Sequence, residues 1–176
     1  MRSRTLAGLT VFVLLFAAAA NAQVACKLLQ PAEVESALKE WAAGGKAKEF
    51  SGGPSDSGGV SMDACSSDIV RSNGNLVVTV IVVKNFPMDG GEAIRTRNAA
   101  LGREGQWKTQ GAQFEQKTVD TALCTRSGRP NVAAHSVCAI PRGRGYVEVD
   151  VRAPTQQDLA SMGAVGALVQ KANGRL

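Results

Sequence analysis

The chain has 176 residues, of which 44% are hydrophobic and 20% charged, and its net charge is +5 at pH 7. That length suits one domain with its own core, and the lack of a run of Lys and Arg argues against a nucleic-acid-binding protein. A single histidine and the lack of a Cys-x-x-Cys pair argue against zinc, so we expect neither metal nor cofactor.

The first 22 residues have the layout of an export signal. Two arginines in the first four residues precede an apolar run over 6–20, and Ala20-Asn21-Ala22 then gives a small-x-small cleavage pattern. The apolar run is shorter than the ~20 residues of a membrane-spanning helix. We therefore predict a signal peptide over 1–22, cleaved after Ala22, with no transmembrane span remaining.

Cleavage leaves 23–176, which we predict to be a single disulfide-stapled α+β domain in the periplasm or outside the cell. Removing residues 1–22 removes two basic residues and no acidic one, so eighteen basic and fifteen acidic residues remain, a net charge of +3. A lipoprotein anchored at Cys26 is the less favoured alternative. Gln23 stands where lipoprotein signals have Leu or a similar apolar residue.

All four cysteines lie in the predicted mature chain: Cys26, Cys65, Cys124 and Cys138. This number and location fit an oxidising compartment, although four cysteines allow three pairings. We favour Cys26–Cys65, which would tie the segment before the first helix to the first strand, and Cys124–Cys138, which flanks a predicted hairpin.

The first half of the chain predicts a helix, a loop and a hairpin. An apolar stripe with helical spacing predicts a helix over 28–43. The Gly/Ser-rich segment 46–61 is typical of a loop. A strand over 62–71 then leads through the turn Ser72-Asn73-Gly74-Asn75, a strong hairpin signal, into a strand over about 76–83. That strand is apolar on both faces, so we expect both faces to be covered.

The second half predicts a helix over about 91–102, then either two short strands or one bulged strand within 106–125. A strand follows over 132–140. The segment 146–152 alternates cleanly, with valines predicted to face the core and Glu148, Asp150 and Arg152 predicted to face water. The last helix is predicted over 156–173.

The order α-ββ-α-ββ(β)-α predicts an α+β fold with a mostly antiparallel sheet, three helices and a covered central strand at about 76–83.

Two sets of residues are candidate sites. His135 lies on a predicted strand, where it shares a face with Ala133 and Val137, and Ser136 faces the other way. We take it as a polar site that is more typical of a structural than of a catalytic histidine. Four arginines in two turns are predicted to be either solvated charges or, if both turns lie at one end of the sheet, a surface for an anion or partner. They are Arg126, Arg129, Arg142 and Arg144.

The chain resembles a group of exported domains. It opens with Cys26-Lys27-Leu28-Leu29 and a helix containing Glu33-Val34, has Cys65 in its first predicted strand, and ends in a hairpin and an alanine-containing helix. These features are similar to small exported bacterial domains of unknown function, some of which resemble the PsbP-like α/β/α sandwich of the LpqN type. The resemblance implies a fold and a compartment, and carries over no catalytic residue.

The sequence therefore favours an exported, non-catalytic binding or interaction module for an unknown protein or cell-envelope partner. The first alternative is an inhibitor or immunity-type partner of another exported protein, which would insert the Gly/Ser segment 51–60 into a cleft. The second alternative is a hydrolase that uses His135.

Overall fold

The computed structural model describes residues 23–103, 111, 113–128 and 132–176. The predicted signal peptide and Arg129 lie outside the described residues. The elements, in chain order, are a 3₁₀ turn Ala25–Lys27, α1 Pro31–Ala37, α2 Lys39–Ala42, β1 Lys46–Ala47, β2 Ser51–Ser57, β3 Val60–Val70, β4 Leu76–Lys84, α3 Gly90–Arg103, β5 Gln113–Val119, β6 Ala122–Gly128, β7 Ala134–Pro141, β8 Tyr146–Ala153 and α4 Met162–Asn173.

The eight strands form one antiparallel sheet in the order β1-β3-β4-β8-β7-β6-β5, with β2 also pairing along β3. The middle strand of this order is β8, which pairs with β4 on one side and β7 on the other. Residues that oppose one another in neighbouring strands share a face of the sheet. One such row crosses five strands: Cys65, Val80, Val149, Cys138 and Cys124.

The core face of the sheet is the one that carries this row. It packs against α1, α4 and the 3₁₀ turn, and alternate β4 residues such as Val78 and Val80 are fully buried there. The other face, called here the open face, is covered in part by α3, whose Ile94 is buried. Successive side chains of a strand point to opposite faces, so the residues of each strand alternate between the core face and the open face.

The α+β prediction with three helices is wrong. Within the described part of the chain the fold is β-rich, with 42% of residues in strands and 26% in four short helices. The main reason is the segment 46–61, predicted as a loop, which forms β1 and β2. Gly52 shows why glycine suits this strand: its φ is +154°, and a Cβ there would lie 2.9 Å from the Cα of Cys65 on β3.

Two predicted helices are shorter than expected. The first is interrupted at Leu38, whose φ and ψ of −102° and 17° separate α1 from α2. The last begins at Met162, because the Ser161 hydroxyl accepts the backbone N–H of Ala164 and caps the helix there. Thr155, which directly precedes the predicted start of this helix, instead belongs to a turn, in which its hydroxyl donates to the Asp158 carboxylate at 2.7 Å.

The predicted central strand is covered completely on one face only. On the open face Val77, Thr79 and Ile81 are half-buried, and the Thr79 hydroxyl is hydrogen-bonded to that of Ser66 at 2.9 Å. The expectation that both faces are covered is therefore wrong for the open face, since α3 extends over only part of it.

Two disulfides cross-link the fold with the pairing favoured from the sequence. Cys26–Cys65 ties the 3₁₀ turn to β3, and Cys124–Cys138 joins opposed residues of β6 and β7. Both suggest folding in an oxidising environment outside the cytoplasm.

Among the described residues, no helix has the length and apolar character needed to cross a membrane.

Candidate functional site

A pocket of about 320 Å³ opens at the end of β4 and is called here the basic pocket. Three cationic side chains, Lys84, Arg142 and Arg144, line it. The rest of its lining consists of Val82, Val83, Asn85, Tyr146 and Leu176. Since charges of one sign converge on a concave surface, the pocket attracts anions.

The pairing of β4 with β8 positions these cations. Val83 opposes Tyr146, so the turn between β7 and β8 lies beside the end of β4. Gly145 permits the approach, because a Cβ there would lie 3.0 Å from the carbonyl carbon of Val83. The Phe86 N–H donates to the Arg144 carbonyl at 2.8 Å, and Arg144 Nε donates back to the Phe86 carbonyl at 3.0 Å. The turn is thus fixed to the strand by backbone and side chain together.

The cations keep donor capacity for a ligand. Arg142 Nη1 donates to the side-chain oxygen of Asn173 at 2.9 Å and to its carbonyl at 3.2 Å. None of the three cations forms an ion pair with a carboxylate of the described residues. Each guanidinium has five N–H donors, so Arg142 and Arg144 retain N–H groups beyond those already used.

Tyr146 supplies a neutral polar group to the same pocket. Burial, assisted by the nearby Glu148 carboxylate, raises the pKa of the Tyr146 phenol above its ordinary value of 10.0. The hydroxyl therefore remains protonated at neutral pH.

A second pocket of about 250 Å³, called here the acidic recess, adjoins the basic pocket. Val82 and Lys84 line both, and the recess adds Asp56, Ser61 and Asp63. Asp63 Oδ2 accepts two backbone N–H groups, those of Val24 at 2.6 Å and Ala25 at 3.0 Å, whereas its Oδ1 is buried without a hydrogen-bond partner. An unpartnered buried carboxylate oxygen is uncommon, because its desolvation is not compensated.

The three described members of the predicted arginine set do not form one surface. β7 separates Arg126, which lies opposite Ser136 near the start of that strand, from Arg142 and Arg144, which follow its end. Arg126 lies within β6, where its Nη2 donates to the carbonyls of Gln156 at 3.1 Å and Leu159 at 3.2 Å. Of the described arginines in the set, Arg142 and Arg144 line the same pocket, and Lys84 is a third cation there that the sequence did not associate with them.

His135 lies on the open face, far from the basic pocket in the sheet. Its Nδ1 is 3.1 and 3.2 Å from the two carboxylate oxygens of Asp150. That hydrogen bond raises the pKa of His135 above 6.5, against the opposing effect of burial. Ser127 opposes His135 on the neighbouring strand and so shares its face, whereas Ser136 faces the core and is fully buried.

Glu148 is the charged residue that the sequence misassigned. The alternation of apolar and polar residues over 146–152 predicted that its side chain faces water. Glu148 is instead buried under α3, where Arg97 forms an ion pair with it. Burial raises the pKa of the Glu148 carboxyl, and the positive charge of Arg97 counteracts that rise. Arg97 also lies 5.9 Å from the ring centroid of Tyr146, the residue that borders the basic pocket.

Metal ligands do not converge in the described part of the chain, where no three His, Cys, Asp or Glu side chains are arranged to hold an ion.

No protein-family model and no curated protein sequence matches this chain.

Proposed function

We propose that this protein is an exported, non-catalytic binding module whose basic pocket holds an anionic group of its ligand. The observation that carries the proposal is the convergence of Lys84, Arg142 and Arg144 on a pocket of about 320 Å³. Guanidinium groups bind carboxylates and phosphates through directed, charge-assisted hydrogen bonds, and an ammonium adds a mobile point charge.

Binding rather than catalysis is favoured by the chemistry of the lining. The pocket holds cations, amide and phenol groups and aliphatic walls, but its lining includes no Ser, Thr, Cys, His, Asp or Glu that would serve as nucleophile or base. The fixed turn that carries Arg144 supports the same proposal, because preorganised donors lose little entropy when a ligand binds.

The proposed location is the periplasm or the cell exterior, after cleavage of residues 1–22. The two disulfides support an oxidising compartment. The Cys26–Cys65 disulfide also argues against the lipoprotein alternative, because a sulfur that is bonded to Cys65 is not free to carry a lipid thioether. The Asp63 carboxylate accepts the backbone N–H groups of Val24 and Ala25, which lie just after the proposed cleavage point.

The test is calorimetric titration of residues 23–176 with inorganic phosphate and, separately, with acetate. We expect saturable binding of at least one anion, weakened about tenfold or more by Arg144→Gln, since a hydrogen bond to a charged group contributes about 1.5–3 kcal/mol. Lys39→Gln is the matched control, because Lys39 is exposed on α2 and outside the pocket. Equal affinities in all three proteins, or no binding of either anion, would contradict the proposal.

A hydrolase using His135 is a second candidate, and one observation favours it. Asp150 binds Nδ1 of His135, as the orienting acid does in serine hydrolases, and Ser127 lies across from the histidine. Labelling with a fluorophosphonate probe tests it: this candidate requires labelling at Ser127 that His135→Ala abolishes. Absence of labelling in the wild-type protein rejects it.

The inhibitor or immunity-type alternative has lost its main support. The segment 51–57, expected as a loop that enters a cleft, is the paired strand β2. The tip of the β2–β3 hairpin, at Gly58 and Gly59, is exposed. A pull-down from periplasmic extract should retain a partner that depends on this tip if the alternative is correct.

A further inference from the structure

The ligand class follows from the acidic recess beside the basic pocket. We infer that the protein binds a short peptide in extended form, with an anionic group in the basic pocket and a free ammonium in the acidic recess. This inference rests on the proposed function and specifies its ligand.

The two pockets are continuous along one end of the core face. Asp56 of β2 opposes Ser61 of β3, and Ser61 opposes Lys84 of β4, so these three residues form a row across adjacent strands. Asp63 opposes Val82 in the neighbouring row. Because Val82 and Lys84 line both pockets, a ligand can pass from one to the other without leaving the surface.

The recess has the acceptors that an ammonium requires. The partnerless Oδ1 of Asp63 is buried, while Asp56 is exposed at the outer side of the recess. An alkylammonium has three N–H donors, and the exposed Asp56 carboxylate and the Ser61 hydroxyl offer acceptors for them, while Asp63 adds its negative charge. Neither aspartate forms an ion pair with Lys84 or with another cation of the described residues, so the opposite charges remain separated.

The separation sets the length of the ligand. The recess begins at β2, and the turn bearing Arg142 and Arg144 leads into β8, which is three strands away in the sheet. Neighbouring strands lie about 4.8 Å apart, so the charged ends of the groove are separated by about 14 Å. An extended chain advances about 3.4 Å per residue, and about four residues therefore span the groove.

Both charges of the peptide are needed to use the whole groove. A simple anion satisfies only the cations of the basic pocket, and leaves the negative charges of Asp56 and Asp63 uncompensated. A divalent metal ion in the recess is a weaker fit, since Asp56 and Asp63 would be its only carboxylate ligands and Asp63 Oδ2 is already occupied by two N–H groups. The peptide ammonium therefore fits the recess better than either.

The experiment compares three probes by calorimetry on residues 23–176: tetra-alanine, N-acetyl-tetra-alanine without the ammonium, and tetra-alanine amide without the carboxylate. We expect tetra-alanine to bind at least tenfold more tightly than either modified probe. Asp56→Asn should reduce its affinity to that of the acetylated probe and leave the acetylated probe unaffected. Asp120→Asn, in the exposed turn between β5 and β6 where Asn tolerates the positive φ of 51°, is the control.

The outcomes separate this inference from the function on which it rests. Equal binding of tetra-alanine and its acetylated form, or an equal effect of Asp56→Asn on both, overturns the peptide inference while the basic pocket remains an anion site. If neither form binds and neither phosphate nor acetate binds, the proposed function itself fails. Di-alanine and hexa-alanine complete the test. In a groove about 14 Å long, di-alanine should bind more weakly than tetra-alanine, and hexa-alanine should gain no further affinity.

Discussion

Replacing Arg97 with Met should destabilise the protein through Glu148. The carboxylate of Glu148 is buried between the sheet and α3, and Arg97 provides its ion-pair partner. In the row across the sheet its neighbours are Ile81 and Ala139, both apolar. Arg97→Met keeps a flexible side chain of similar length but leaves the buried charge without a partner.

The expected loss is about 3 kcal/mol. Removing one partner of a buried pair costs about 3–5 kcal/mol, and the lower end applies because 32% of the Arg97 side chain is exposed. That is a large share of the roughly 5–15 kcal/mol that holds a domain folded. The loss should also depend on pH. Since burial raises the pKa of Glu148 above 4.5, the folded state binds this proton more readily than the unfolded state, and stability falls as pH rises from 4.5 through the folded-state pKa.

Urea unfolding followed by circular dichroism at pH 7.5 and pH 5 measures both effects. The loss of unfolding free energy in Arg97→Met relative to wild type should be larger at pH 7.5. At that pH the unpaired Glu148 either carries a buried charge or holds a proton that the solution pH tends to remove. The double variant Arg97→Met/Glu148→Leu should recover most of the loss, because no buried charge remains. A single-variant deficit below 1 kcal/mol at pH 7.5, or one equal at both pH values, would refute the reasoning.

Three further predictions concern the open face and the core. Asp150→Asn should lower the pKa of His135, measured by NMR titration, and should weaken the stabilisation that is present below pH 6.5 and lost as pH rises through the raised pKa; an unchanged His135 pKa would contradict the assigned hydrogen bond. Val80→Asp should abolish cooperative thermal unfolding by burying an unpaired charge at a fully buried position, and a folded variant would refute the central role of β4. Changing Cys124 and Cys138 together to Ser should cost about 3 kcal/mol in urea unfolding, from the loop of 14 residues that the disulfide closes; no loss would contradict that constraint.

Local signals in the sequence predicted the elements that depend on neighbouring residues. Asn73 and Gly74 indicated the β3–β4 hairpin, in which Gly74 has a φ of +103°. The clean alternation of 146–152 indicated β8, and the cysteine positions favoured the observed pairing. Each of these signals acts over a few residues or, for the disulfides, rests on residue type alone.

The features that the sequence did not predict depend on contacts between segments that are distant along the chain. The composition of 51–57 resembles a loop, and pairing with β3 overrides that tendency by satisfying the backbone. Period-2 alternation shows that Glu148 and Val149 face opposite sides, but not that α3 covers Glu148. The basic pocket likewise unites Lys84 with Arg142 and Arg144, which are nearly sixty residues later in the chain.

The pairing of β4 with β8 has a consequence for how the chain folds. β3 and β4 form a local hairpin, and β6, β7 and β8 a local meander, but Val80 pairs with Val149, which lies 69 positions later in the chain. Pairings between such distant segments form slowly. Until β8 arrives, the apolar strand Leu76–Lys84 presents an unpaired edge, the kind of segment that associates with other chains. The strand Leu76–Lys84 stabilises the sheet of the folded protein. In the partly folded protein the same strand is therefore the segment most prone to aggregation.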